Sequence, residues 1–193
     1  MDKIKFAKVK ENAVIPSKRE EDAGFDIYAC FNEPYMIISP NETMMIPTGI
    51  ASAFDSDYVI MLKERGSSGS KGIGQRCGII DSGFRDEWKC VVTNHTNKNI
   101  IITDLTVGEL LELSEKNKSD DILDYVLEGK LLIRCDLTTG DTYELFTIYP
   151  KSKAICQALL LPVPKIEIEE ITYDELIKIE SERGNGMLGS SGK

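Results

Sequence analysis

Short apolar stretches alternate with polar breakers over the first hundred residues. Lys3 to Val9 alternates weakly, and Phe25 to Ala29, Met36 to Ile38, Met44 to Pro47 and Tyr58 to Leu62 are rich in β-formers. Asn32-Glu33-Pro34, Ser39-Pro40-Asn41 and Asp55-Ser56-Asp57 separate them, and Trp88 to Thr93 and Ile100 to Thr103 continue the rhythm. Short strands at this spacing predict an all-β sandwich or barrel. The glycine-dense stretch from Gly66 to Gly83 reads as loop, with at most one short helix.

The pattern changes between Asp104 and Phe146. Val107 to Lys116 has apolar residues at helical spacing. Ser119-Asp120-Asp121 supplies a cap and an acidic first turn for a second helix over Ile122 to Leu127, stopped by Gly129. Leu131 to Cys135 and Thr142 to Phe146 flank Leu137 to Asp141 as the arms of a hairpin. Strand character resumes over Ala154 to Pro162, and Asp174 to Glu182 suits either a helix or an extended arm. This divides the chain into a β-barrel (1–103 and 147–182), an inserted subdomain (104–146) and a glycine-rich arm (183–193). The barrel is mainly β, the insertion small and α/β, and the arm is expected to be mobile without a ligand.

Composition narrows the function. At 193 residues, 41% hydrophobic and 28% charged, the chain has the size and make-up of one soluble domain with room for an insertion. A net charge of -9 excludes the broad basic surface that nucleic acid requires. The longest apolar run, near Ile155 to Val163, is too short for a bilayer, and the N-terminus lacks the apolar core of a secretory signal. Cys30, Cys77, Cys90, Cys135 and Cys156 have no metal-ligand spacing and read as reduced thiols. These features together predict a cytoplasmic protein with neither a membrane nor a nucleic-acid partner. Lys63, Arg65, Lys71, Arg76, Arg85 and Lys89 nevertheless crowd one stretch, which suits a small polyanion such as a nucleoside triphosphate.

Three segments carry candidate chemistry. Gly78-Ile79-Ile80-Asp81-Ser82-Gly83-Phe84-Arg85 sets an aspartate at the edge of an apolar hairpin. Backbone groups there can meet a planar base, and Phe84 can pack on a sugar. Glu64 to Gly72 combines small residues, serine hydroxyls and Arg65, which can ring a phosphate, though it lacks the order of a P-loop. Arg183 to Gly192 joins an arginine to a glycine-serine tail, a plausible lid over a triphosphate. His95, the only histidine, follows a strand end and reads as structural or exposed.

With these segments in hand, the chain resembles the trimeric dUTPase family, whose five motifs occur here in order. They are Ala23 to Ala29, Arg65 to Gly72, Gly78 to Glu87 with the strand that follows, Ile155 to Leu159, and the C-terminal arm. The family relevant here includes phage and Firmicutes-type members with an insertion between motifs three and four. The resemblance implies a jelly-roll-like β-barrel, a homotrimer whose subunits share each active site, and Mg²⁺-assisted hydrolysis of dUTP to dUMP and pyrophosphate. It assigns Asp81 to activation of the attacking water, and the backbone of Gly78, Ile79 and Ile80 to the uracil edge. Phe84 would pack on the deoxyribose, and Gln75 and Lys89 would line the nucleoside pocket. Arg65, Gly66, Ser67 and Gln157 would bind phosphate. Arg183, Gly186, Leu188, Gly189, Ser190 and Ser191 belong to the closing arm. Mg²⁺ is expected to be held mainly by the triphosphate, with Asp26 reaching it through water.

The chain departs from the family pattern at Leu188, where a stacking phenylalanine is usual, and at Gly66, where a serine is usual. Asp86 replaces a glycine, and Ser152-Lys153-Ala154 replaces Gly-Asp-Arg. Two alternatives remain open on the sequence. One is a dUTPase-fold protein that binds a regulatory partner through 104–146. The other is a dCTP deaminase, although the strand Lys89-Cys90-Val91-Val92-Thr93 offers no carboxylate for that chemistry.

Overall fold

A computed structural model describes residues 3–117, 126–128, 131–135, 142–181 and 184. The chain divides into two compact units, residues 1–163 and 164–193. In the first, strands β1 (Lys5–Lys8), β2 (Phe25–Tyr28), β3 (Met36–Ile38), β4 (Thr43–Pro47), β5 (Ile50–Ala53) and β6 (Tyr58–Glu64) precede a one-turn helix α1 (Gly66–Gly69). There follow β7 (Ile73–Arg76), β8 (Ile79–Ile80), β9 (Lys89–Asn94) and β10 (Asn99–Ile102), then α2 (Val107–Asn117). The unit ends with β11 (Val126–Glu128), β12 (Leu131–Cys135), β13 (Thr142–Tyr149) and β14 (Ala154–Pro162). The described strands form four small sheets, ordered β1-β5, β11-β12-β13-β10-β3, β2-β14-β6-β8 and β4-β9-β7. Only the β10–β13 pairing is parallel among those described. This is the mainly β architecture that the breaker spacing predicts, in keeping with the jelly-roll-like fold that the resemblance implies.

One apolar core fills the sheets. Ile27, Ile38, Ile46, Ile60 and Trp88 are at most 1% exposed, and each such burial contributes roughly 1.5–3 kcal/mol. Trp88 receives the Phe6 ring edge-on, with centroids 5.6 Å apart. Cys90 and Cys156 bring their thiols to 3.0 Å inside this core, and hydrogen bonding to Cys90 together with burial pushes the Cys156 thiol well up. Cys30, Cys77, Cys90 and Cys156 are free.

The continuous apolar run of β10 has a physical reason, since a strand covered on both faces shows no alternation. Ile100 and Ile102 join the main core. Ile101 faces the opposite way, into a second cluster with Val107, Leu110, Phe146 and Ile148. The α2 helix therefore lays Val107 and Leu110 on the outer face of β10 and β13. Its start is capped by Thr106, whose hydroxyl and amide both contact the Glu109 carboxylate at 2.7 Å.

Three local expectations need correction, and one strand, β5, is not anticipated by the sequence pattern. The glycine-dense stretch holds β7 and β8 besides its helix, because β7 is recruited by pairing with the distant β9. The strand Ile50–Ala53 escapes a reading by apolar run, since its pairing with β1 supplies what its small residues do not. Val126 and Leu127, expected in a helix, lie in a strand that pairs with Ile133 and Leu132. Residues 118–125, including the expected Ser119 cap, fall outside the described residues. The hairpin of β12 and β13 forms as expected, but β13 runs on to Tyr149 because its last residues pair with β10.

In the second unit, a one-turn helix α3 (Tyr173–Leu176) is capped by Thr172 and Glu175. No helix among the described residues is long and apolar enough to cross a membrane.

Candidate active site

Sheet register brings two predicted phosphate-site residues, Arg65 and Gln157, beside Asp26, the carboxylate expected near the metal. Gln157 on β14 lies opposite Asp26 on β2 and opposite Lys63 on β6, so the residue that leaves β6, Arg65, emerges beside both. Its Nε sits 3.0 Å from Asp26 Oδ1. Arg65 also opens α1: its amide donates to Ser68 Oγ at 3.1 Å, and that hydroxyl returns a bond to the Arg65 carbonyl at 3.2 Å. The buried Ser68 thus fixes the loop from inside, leaving Gly66 and Ser67 exposed. Arg65 Nη1 reaches Ser67 Oγ at 3.5 Å, and Gln157 Nε2 donates to the Glu64 carbonyl at 3.0 Å.

Asp26, Arg65 and Gln157 line a cavity of about 600 Å³ together with Lys18, Arg19, Glu21, Asp22 and Gly24. A side chain at position 24 would come within 2.9 Å of Gln157 Oε1, so glycine there keeps β2 close to β14. Lys18 ties the approach segment by donating to the Asp22 carbonyl at 2.7 Å. Sequence reasoning did not single out Lys18, Arg19 or Asp22, which precede the recognisable motif and carry no signal beyond their charge.

The predicted base-reading segment forms a second cluster. Cys77 adopts a φ of 47°, turning the chain from β7 into β8. The Gly78 carbonyl accepts from Leu62 N at 2.6 Å, and Ile80 pairs with Ile60. Ile80 is buried, while Ile79 and Phe84 are 54% and 40% exposed. Asp81 is exposed, and its carbonyl accepts from Phe84 N at 3.0 Å in the turn that follows. Gln75 donates from Nε2 to the Arg76 carbonyl, leaving its buried Oε1 without a partner. Lys89 gives its ammonium to Glu87. Glu87, unremarked in the sequence, also accepts from Gly49 N at 2.8 Å and pairs with Lys10 at 3.8 Å. It locks the segment after Asp81 to the turn before β5.

The two clusters lie apart within one chain. Antiparallel pairing sets Asp81 beyond Ile80, level with Val59, six residues along β6 from Arg65. At strand rise that is about 20 Å. Arg183, Gly186, Leu188, Gly189, Ser190 and Ser191 lie outside the described residues, as does the structure of the predicted lid apart from Gly184.

A family model described as dUTPase matches residues 10–106, just over half of the chain. The chain belongs to the dUTPase family. It is accordingly a nucleotide hydrolase of the dUTP diphosphatase class. The deoxyuridine 5'-triphosphate nucleotidohydrolase of Nautilia profundicola is 29% identical over 195 residues, covering 99% of each chain. Among solved structures, the dUTPase of Staphylococcus bacteriophage 80alpha with dUPNHPP superposes with a TM-score of 0.66 at 22% identity, covering 99% of both chains. The dUTPase from phage phi11 of S. aureus, solved to show its species-specific insert, gives 0.57 at 18% identity over 88% of this chain and 96% of that one. These two likenesses show the dUTPase fold and extend beyond the span of the family model.

Proposed function

We propose that the chain hydrolyses dUTP to dUMP and pyrophosphate by in-line attack of water on the α-phosphorus. Asp81 takes the proton of the attacking water as its oxygen bonds to phosphorus, and the bond to the bridging oxygen breaks to release pyrophosphate. The observation that carries this reading is the pair of clusters: an exposed carboxylate beside a rigid backbone hairpin, and a cavity walled by Arg65 and Gln157. Uracil offers acceptor, donor and acceptor along O4, N3 and O2. A backbone edge fitted to that order leaves groups unpaired against cytosine, which gives strong discrimination. The Ile79 side chain and Phe84 supply exposed apolar surface for the nucleoside.

The separation of the clusters within one chain supports a site shared between subunits of a homotrimer. In the second unit, Ile166, Ile168, Tyr173 and Ile179 are more than 60% exposed, apolar surface that a neighbouring subunit would cover. The arm 183–193 is proposed to close over the β- and γ-phosphates through Arg183, Ser190 and Ser191.

Asp26 shares the cavity wall with Glu21 and Asp22 and is already paired with Arg65, and no group of three ligating residues occurs among the described residues. That donor set fits Mg²⁺ held mainly by the triphosphate, with Asp26 behind its water shell. When bound, the ion neutralises phosphate charge. Residues 104–146 are proposed to form an insertion outside this machinery. A cavity of about 600 Å³ between Thr103, Leu105, Val107 and Ile148 at its root favours a secondary reading, docking of a regulatory protein there.

Pyrophosphate release measured across dUTP, dCTP, dTTP and UTP tests the proposal, with ammonia release as the deaminase arm. Turnover restricted to dUTP without ammonia supports it. Equal turnover of dUTP and dCTP would overturn it.

A further inference from the structure

The turn that carries Asp81 and Phe84 has little burial to hold it. Asp81, Gly83, Phe84, Arg85 and Asp86 are exposed, and a Cβ on Gly83 would meet nothing within 4 Å. The backbone bond described inside the turn runs from Phe84 N to the Asp81 carbonyl at 3.0 Å. The segment that follows is tied down: Glu87 accepts from Gly49 N at 2.8 Å, and Trp88 N donates to the Ile50 carbonyl at 2.9 Å. Those bonds fix where the turn ends and leave its tip unfastened.

Arg85 supplies what packing does not. Its Nη1 donates to the Phe84 carbonyl at 3.0 Å and to the Ser82 carbonyl, and reaches the Ser52 carbonyl of β5 at 3.4 Å. One charged nitrogen thus gathers two carbonyls of the turn and a third from a strand. Hydrogen bonds from an ionised donor are about twice as strong as neutral ones. Among the described hydrogen bonds, only these join residues 81–85 to β5. Six cations crowd residues 63–89, yet of these Arg65 alone lines the phosphate cavity. The charge of Arg85 is turned on backbone carbonyls instead.

We infer that Arg85 is a positioning residue: it clamps the turn so that the Asp81 carboxylate and the Phe84 ring keep a fixed place beside the hairpin. This rests on Asp81 activating the attacking water and Phe84 packing on the deoxyribose. Arg85→Gln keeps a polar side chain and loses the charged donor. A displacement of about 1 Å costs a reacting group up to about 10²-fold, so kcat for dUTP should fall roughly 10–100-fold. Preference for dUTP over UTP should shrink as Phe84 loosens. Arg85→Lys, which keeps the charge without the planar fork, should recover part of both.

A double-mutant cycle with Asp81→Asn provides the test. If Arg85 acts through Asp81, Arg85→Gln costs little further kcat in the Asp81→Asn background. The same fold-loss in both backgrounds, or a lowered Tm with unchanged kcat and dUTP preference, would overturn the inference. A second measurement does not depend on turnover. The Phe84 amide should exchange its hydrogen on the order of tenfold faster in Arg85→Gln, the scale of one lost hydrogen bond, while the Val92 amide in β9 stays protected. Unchanged exchange at Phe84 would overturn the clamp. Wild-type turnover of dUTP is the control: its absence would refute the functional reading, whereas exchange at Phe84 reports the clamp regardless of activity.

Discussion

Arg65 and Asp26 meet at 3.0 Å although thirty-nine positions separate them, because β14 lies between their strands and holds Gln157 against both. The two side chains are about one-third exposed, at 32% and 33%. A pair so open to water adds little stability. Its consequence is geometric: the carboxylate aims the guanidinium across the cavity before any anion arrives. Asp26→Asn should therefore shift unfolding by less than about 1 kcal/mol. Its kcat/KM for dUTP should fall at least about tenfold, the scale of one charge-assisted hydrogen bond. Urea unfolding and steady-state kinetics on the same preparation decide this, and a large stability loss with intact kinetics would make the pair structural.

Asp81 is exposed and makes its described bond through its backbone, so its carboxylate is not needed for the fold. Asp81→Asn should stay folded and bind a non-hydrolysable dUTP analogue, yet turn over dUTP about 10²–10⁴-fold more slowly, the usual worth of a general base. Near-normal turnover would remove Asp81 from the chemistry.

Glu87 gives a stability prediction with a defined sign. Burial of its carboxyl opposes ionisation, but the Lys89 ammonium, the Gly49 amide and Lys10 outweigh that and hold it below the ordinary glutamate value of 4.5. A carboxylate with a lowered folded value stabilises fully above its unfolded value, and the contribution is lost as pH falls through the folded value. The protein should lose stability as pH drops below about 4.5, and Glu87→Gln should be less stable at neutral pH with a flatter acid limb. Chemical unfolding midpoints over an acid series measure it. Parallel curves for the two proteins would assign the acid sensitivity elsewhere.

The sequence carried the fold through the spacing of its breakers and the site through its motifs, each written in local residue types. What stayed hidden depended on distant partners. Ile73-Gly74-Gln75-Arg76 has little strand character and becomes β7 only because β9 presents an edge to it. Tyr149 lies beyond the apparent end of its strand, which runs on only because β10, far back in the chain, pairs with it. Glu87 looks like one more surface acid until folding brings the Gly49 amide to it.

The closest backbone approach in the base-reading cluster yields the last prediction. Cys77, at a φ of 47°, swings the chain so that Gly78 lies flat against β6, where its carbonyl accepts from Leu62 N at 2.6 Å. A Cβ on residue 78 would run into the Leu62 carbonyl oxygen. That oxygen belongs to the strand paired through Leu62 with Ala158 of β14, so it cannot give way cheaply. In Gly78→Ala, β8 must peel from β6, at a cost of about 1–3 kcal/mol typical of overpacking. Most of the core lies elsewhere, so the protein should remain folded with a lowered Tm. The damage should fall on the edge that carries Ile79, Ile80 and Asp81: KM for dUTP should rise at least about tenfold, and preference for dUTP over dCTP should shrink. Binding of tripolyphosphate, which needs only the Arg65 cluster, should persist. Calorimetry with tripolyphosphate beside kinetics with both nucleotides separates the two halves of the site. Unchanged KM and preference in a folded Gly78→Ala protein would show that the hairpin does not read the base.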